Sequence, residues 1–262
     1  MLFVSSLVDN WRLILRMTKR DVVGRYRGSL FGIIWSFFNP LLMLAVYSFV
    51  FGLVFKAKWG TDTTSNFSVI LFTGLIFHGF LGECIGRAPG LIVANATYVK
   101  KVVFPLDSLV WVSVFSSLFH FFVSLFILML AEIVTSQSIP WTWIYLPFVL
   151  LPLFFVCLGV TWLLASLGVF IRDIAQMTGI VVTILLFLCP IVYPLEVIPE
   201  EYQKYILMNP LTIIVEQARS ILVFGRAPDL QTLFLYGGGA VIFSQLSYIW
   251  FSKTKRGFAD VL

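Results

Sequence analysis

Long apolar runs alternate along this chain with short polar or basic segments. Six runs are candidate membrane spans, at roughly Phe31–Phe55, Phe67–Gly86, Leu109–Val134, Ile144–Ile171, Met177–Tyr193 and Leu230–Phe251. About 20 apolar residues of helix cross the hydrocarbon layer of a bilayer. The fifth run is short and contains Pro190, and the fourth is long enough to tilt or overrun the bilayer. Before the first span, Phe3, Val4, Leu7, Val8, Trp11, Ile14 and Leu15 fall on one helical arc, with Asp9, Arg12, Arg16 and Lys19 on the other. That pattern predicts an amphipathic helix in the headgroup plane, its basic edge toward anionic lipid. A partner-binding helix is the alternative.

Two segments between spans have a different pattern. Residues 194–225 are too polar to span and too apolar for a plain loop. Pro199 followed by Glu200 and Glu201 predicts a helix start, and Asn209-Pro210 ends that helix. A second helix then puts Leu211, Ile214, Val215, Ala218, Ile221 and Leu222 on one face, with Glu216, Gln217 and Arg219 off it and Gly225 as its C-terminal cap. Two short helices, Pro199–Met208 and Leu211–Phe224, after a proline-broken span suggest a structure dipping into the membrane from one side. Such backbone must be buried in protein or line a wet cavity. The other segment is NATYVKKVVFPLD, Asn95–Asp107. On a helix over 89–105, Leu91, Ile92, Tyr98, Val99, Val102 and Val103 share a face. Lys100 and Lys101 point away, and Asn95 intrudes on the apolar arc. Pro89 starts this helix and Pro105 ends it. Asp107 and Ser108 then offer capping oxygens to the third span. The helix is either an interfacial anchor or a fitting for a groove on a soluble partner.

Composition agrees with the pattern. The chain has 262 residues, of which 60% are hydrophobic and 12% charged, and its mean hydropathy is +0.97. Soluble domains carry about 25% charged residues, so a soluble globule is excluded. Thirteen of the 18 Lys and Arg fall on the side of the two termini if the chain crosses six times. The excess of positive charge marks the cytoplasmic side. Both termini are therefore expected in the cytoplasm, and the net charge of +5 is not the footprint of a nucleic acid. The first twenty residues lack the short apolar core and cleavage site of a secretory signal.

Candidate chemistry is sparse. There is no G-x-x-x-x-G-K-[ST], H-E-x-x-H or G-x-S-x-G, and no cofactor or metal is expected on this chain. His78 and His120 sit in different spans without an acid nearby in sequence. They are expected to hydrogen-bond inside a helix bundle rather than relay protons. Carboxylates are missing from mid-span, which lowers the case for an ion-coupled carrier or flippase. Cys84, Cys157 and Cys189 all lie in apolar runs and are expected to act as small hydrophobes. Trp141, Trp143 and Tyr145 form an expected interfacial belt. Phe31, Trp35 and Phe38, at i, i+4 and i+7, either line a pore near its entrance or pack against neighbouring helices.

The stretch RDVVGRYRGSLFGIIWSFFNPLLMLAVYSFVFGLVF (Arg20–Phe55) resembles the first span of the membrane permeases of bacterial polysaccharide ABC exporters, the O-antigen, capsule and teichoic-acid permeases. The resemblance continues at Asn95–Asp107, at SLGVFIRDIAQ (Ser166–Gln176) and at NPLTIIVEQARSILVFG (Asn209–Gly225), in the right order over nearly the whole chain. It implies an all-α polytopic fold of six spans. An N-terminal interfacial helix and linker would occupy 1–30 and the permease domain 31–262. It implies a second copy of the chain forming a channel and two separate cytosolic ATPase subunits that hold ATP and magnesium. Asn95, Tyr98, Lys100 and Lys101 would match a coupling helix seated on the ATPase, and Arg172 with Asp173 a second, smaller contact. Tyr193, Pro199, Tyr202 and Glu216 would belong to a gate at the outer mouth. The cargo implied is a lipid-linked polysaccharide crossing the bacterial inner membrane, O-antigen first, with capsule and teichoic acid as alternatives.

Overall fold

The computed structural model describes residues 2–57, 59, 67–100, 104–137 and 139–262. Among these the chain is helical throughout its regular structure. Helices α1 (Leu2–Asp9) and α2 (Trp11–Arg25) precede α3 (Trp35–Tyr47), which is entered through a 3-10 turn at Gly32–Ile34 and continued by a π-helical stretch at Ser48–Val54. Then come α4 (Phe67–Arg87), the short α5 (Ala96–Lys100), α6 (Asp107–Ser136), α7 (Leu146–Phe170) and α8 (Ile174–Phe187). The last four are α9 (Glu200–Leu207), α10 (Pro210–Leu222), α11 (Leu230–Thr254) and α12 (Phe258–Val261).

Among the described residues, five stretches are long and apolar enough to cross a membrane: Gly32–Val54, Phe67–Arg87, Asp107–Ser136, Trp141–Phe170 and Leu230–Val261. The fifth expected span is shorter than its apolar run. It forms only the 14 residues of α8, because Pro190 cannot continue a helix. The remaining residues to Tyr193 turn back, and the Tyr193 hydroxyl donates 2.6 Å to the Phe187 carbonyl left open at the end of α8.

Helix α4 is the hub. Its residues from Phe67 through Gly74 are all buried, and it packs on α6, α7, α8 and α10. On the α8 side, the Cβ that Gly82 lacks would lie 3.0 Å from Val182, and His78 Nε2 bonds the Val182 carbonyl at 2.9 Å. Helices α7 and α11 pack side by side through small residues. A Cβ on Gly159 would lie 2.5 Å from the Phe243 ring, so only glycine allows this approach. Such small-residue contacts are how helices associate where lipid removes the hydrophobic drive.

The N-terminal arm splits in two. Asn10 interrupts it, and its side-chain amide donates back to the Ser6 carbonyl at 3.1 Å. Phe3 is 1% exposed, wedged among Trp111, Phe155 and Trp162, and Ile14 is fully buried. Val4, Val8, Trp11 and Leu15 on the expected apolar arc stay exposed. The arm therefore docks by part of its stripe and offers the rest outward, as a helix lying at an interface does. The three cysteines are buried, free thiols.

Candidate functional site

The end of the bundle that carries both termini holds a network of charges. Arg25 of α2 forms an ion pair with Glu83 of α4. His120 of α6 lies with Nδ1 3.2 Å from Glu83 Oε2, and the Tyr26 hydroxyl lies 3.2 Å from its Nε2. His120 Nδ1 also lies 3.1 Å from Arg25 Nη1, so one ring nitrogen meets both a carboxylate and a guanidinium. Arg87 reaches Asp21 at 2.7 Å and Glu83 at 3.7 Å. Two arginines thus face two carboxylates, and three helices are tied at one level. Beside the network, between α3, α4 and α6, lies a cavity of about 480 Å³ whose lining includes Arg25, Tyr26, Asn39, Glu83 and His120 among apolar side chains. Glu83 is 37 residues from His120 along the chain, so no acid is near it in sequence, and it is the fold that brings the two together. Both histidines hydrogen-bond within the bundle, as expected.

The Asp21 carboxyl is held below the usual aspartate range. Burial acts against this, but hydrogen bonding and the charges of Arg87 and Arg25 outweigh it. Burial pushes the Tyr26 phenol up.

The expected coupling helix over 89–105 is shorter than its pattern. Turns follow α4, then a 3-10 turn at Val93–Asn95, then α5. Lys101, Val102 and Val103 lie outside the described residues. Asn95, the misfit on the apolar arc, donates its amide 2.8 Å to the Leu91 carbonyl, so it serves its own turn. Tyr98 stacks on Phe104 with centroids 4.5 Å apart, and Arg20 of α2 donates to its hydroxyl at 3.2 Å. Lys100 is exposed. The segment is held to the bundle at two further points. Pro89 lies so close to Gly168 of α7 that a Cβ there would be 2.3 Å from the Pro89 carbonyl oxygen. Helix α12 packs against α5. Asp107 does not cap α6 as expected. Leu106 holds the cap position without a side-chain bond, and the Asp107 carboxylate takes Lys255 at 3.1 Å instead. Arg172 and Asp173 are exposed in the turn between α7 and α8, at the same end.

At the opposite end, α9 and α10 form as the sequence predicts, within a residue or two. Pro199 is the N-cap of α9 rather than its first residue, and Asn209 caps α10 by accepting from the Leu211 N–H at 2.9 Å. The predicted apolar face of α10, Leu211, Ile214, Val215, Ala218, Ile221 and Leu222, is buried at every position. Its last carbonyls are not left open. Thr142 donates to the Ile221 carbonyl at 2.5 Å and the Trp143 indole to that of Leu222 at 3.1 Å. Trp143 is thus partly a helix cap, while Trp141 remains 66% exposed as a belt residue would. Gly225 adopts a φ of 61°, open to glycine at no steric cost. Of the four expected outer residues, Tyr193 and Glu216 belong to the packed region. Pro199 and Tyr202 stand exposed on α9.

Arg219 overturns one expectation. It lies off the apolar face in projection, yet its side chain is 0% exposed. Its guanidinium bonds Glu216 at 2.8 Å and the backbone carbonyls of Ile70, Pro190 and Ile191, and its Cζ lies 4.3 Å from the Trp59 ring centroid. A helical projection counts any arginine as polar and cannot see carbonyls freed by a broken neighbouring helix. The arginine itself was the available signal, because ionisable residues in membrane segments are seldom idle.

The third feature is a wide apolar face. The membrane-length stretch Gly32–Val54 is only 6% buried over its most apolar part. Phe31, Trp35 and Phe38 form an edge-to-face ladder on it, with centroids 5.8 and 5.6 Å apart, and Phe31 and Phe38 are exposed. On α8, Met177, Ile180, Ile184 and Phe187 are exposed too. The expected aromatic stripe thus packs with itself.

The chain is 27% identical to the O-antigen export system permease protein RfbA of Klebsiella pneumoniae, over 95% of both chains. It is 26% identical to the protein of that name from Myxococcus xanthus, over 98% of both. It is 23% identical to the polysialic acid transport protein KpsM of Escherichia coli, over 79% of both. Residues 12–223 match the ABC-2 type transporter family, and that match, together with the multi-helix membrane architecture, makes this chain a member of the ABC-2 type transporter membrane family.

Proposed function

We propose that this chain is the permease subunit of an ABC exporter that moves a lipid-linked polysaccharide, with O-antigen first among the candidates, across the bacterial inner membrane. The observation that carries the reading is end-to-end similarity to O-antigen export permeases, covering 95–98% of both chains. The polysialic acid relative keeps capsule as the second cargo. Two copies would form the channel, and two separate ATPase subunits would hold ATP and magnesium.

Several features support this arrangement. The basic excess on the termini end suits the cytoplasm. Six crossings, with α8 as a short fifth, bring both termini to that side. Lys100, exposed on a segment anchored through Tyr98, Pro89 and α12, suits contact with an ATPase, as do exposed Arg172 and Asp173. The open apolar faces of Gly32–Val54 and α8 suit a second copy. An ion-coupled flippase would need a free mid-membrane carboxylate. Glu83 is already neutralised by Arg25 and Arg87.

Deleting the gene tests the function. Finished, lipid-linked glycan is expected to accumulate in the cytoplasm and to vanish from the cell surface. Normal surface glycan would remove the proposal. A Lys100→Glu plus Lys101→Glu variant is expected to lose a co-purifying ATPase while staying in the membrane.

A further inference from the structure

We propose that Arg219 is a pin that makes the outer mouth move as one body. It would lock α10, the broken end of α8, the start of α4 and Trp59 together, and keep Cys189 sealed between them. The inference rests on the reading of 194–225 as the outer mouth.

The geometry carries it. Pro190 ends α8, so nearby carbonyls lose the N–H groups that a continuing helix would bring. In a membrane such carbonyls must find donors within the protein. Arg219 supplies them: Nη1 donates to Pro190 and Nη2 to Ile191 at 2.8 Å. Nε reaches the Ile70 carbonyl of α4 at 3.3 Å, and Nη1 also meets Glu216 at 2.8 Å. The Trp59 ring covers the guanidinium. Room for this arrangement exists because residue 74 is glycine, where a Cβ would lie 3.1 Å from both Nη2 and Ile191. A guanidinium holds its donors in a fixed planar fork, which an ammonium does not. The end of α8 therefore cannot leave α10 without stripping several bonds at once. That makes Arg219 a positioning residue for the mouth. Cys189, fully buried beside Pro190, is a native reporter of that contact.

The test uses the permease with its ATPase in spheroplasts, labelled with a membrane-impermeant maleimide and read cysteine by cysteine by mass spectrometry. With the wild type at rest, Cys189 is expected to stay unlabelled. Arg219→Met is expected to raise Cys189 labelling about tenfold or more, since bonds to a charged donor are the strong ones. Arg219→Lys should fall between the two. Cys84 and Cys157 should stay unlabelled throughout. Silence at Cys189 in Arg219→Met overturns the proposal. So does labelling of Cys84 and Cys157 along with it, which would mean that Arg219 holds the whole fold. If Arg219→Met does not insert, Trp59→Leu decides: no rise in Cys189 labelling overturns the proposal. Glu201→Cys on the exposed side of α9 tests the premise separately, since it must label from outside in every background. Its silence would sink the outer-mouth reading itself.

Discussion

Gly168 is a spacer one hydrogen wide. A methyl group there would meet backbone atoms of Pro89, at 2.3 to 2.7 Å, and backbone cannot swing aside as a long side chain can. Gly168→Ala is expected to cost about 1–3 kcal/mol, the usual penalty for overpacking. A lower thermal unfolding midpoint in detergent checks this, and an unchanged midpoint would contradict the close approach. Asp21 gives a second prediction at this scale. Its folded pKa is depressed, so its stabilising effect is complete above the unfolded aspartate value and is lost as pH falls through the folded one. The difference in unfolding midpoint between wild type and Asp21→Asn should be flat from about pH 8 to pH 5 and shrink only below about pH 4. Some residues could be seen from sequence and some could not. Asn95 was legible as a misfit, though not the Leu91 carbonyl that accepts its amide. Asp107 had every mark of a cap, and Lys255 claimed it from 148 residues away. The Glu83–His120 contact was hidden because local patterns carry no information about which spans are neighbours.

The helices were far more legible than their side-chain roles. A bilayer forces apolar length onto any element that crosses it, so spans can be read from hydropathy with small errors at their ends. The same physics made α10 predictable, since its buried face needs a 3.6-residue rhythm. The segment over 89–105 is shorter as a helix than its pattern, because apolar rhythm alone does not require one continuous helix. Tyr98 contributes two of the contacts that hold that segment, the stack on Phe104 and the Arg20 bond. Tyr98→Phe keeps the stack and should preserve export. Tyr98→Ala loses both and should leave ATP hydrolysis running while export drops several-fold, the stack alone being worth about 0.5–1.5 kcal/mol. Paired measurement of ATPase rate and surface glycan checks it. A parallel fall in both would mean that Tyr98 serves assembly and not transmission.

At the scale of the molecule, the exposed apolar area is unevenly placed. Stretch Gly32–Val54 touches little of its own chain, whereas Phe67–Arg87 is two-thirds buried. A second copy covering the first stretch and α8 predicts that Leu41→Cys and Ile180→Cys cross-link into dimers in native membranes. Phe234→Cys on α11, equally exposed, should not. Cross-linking at Phe234 alone would move the interface. The brevity of α8 has a consequence of its own. Fourteen residues rise about 21 Å, against roughly 30 Å of hydrocarbon. A passage walled by this helix would have a septum only about two-thirds as thick as the surrounding bilayer. The membrane voltage would fall over that shorter distance, so an acidic sugar in transit would feel a field roughly one and a half times the ordinary one.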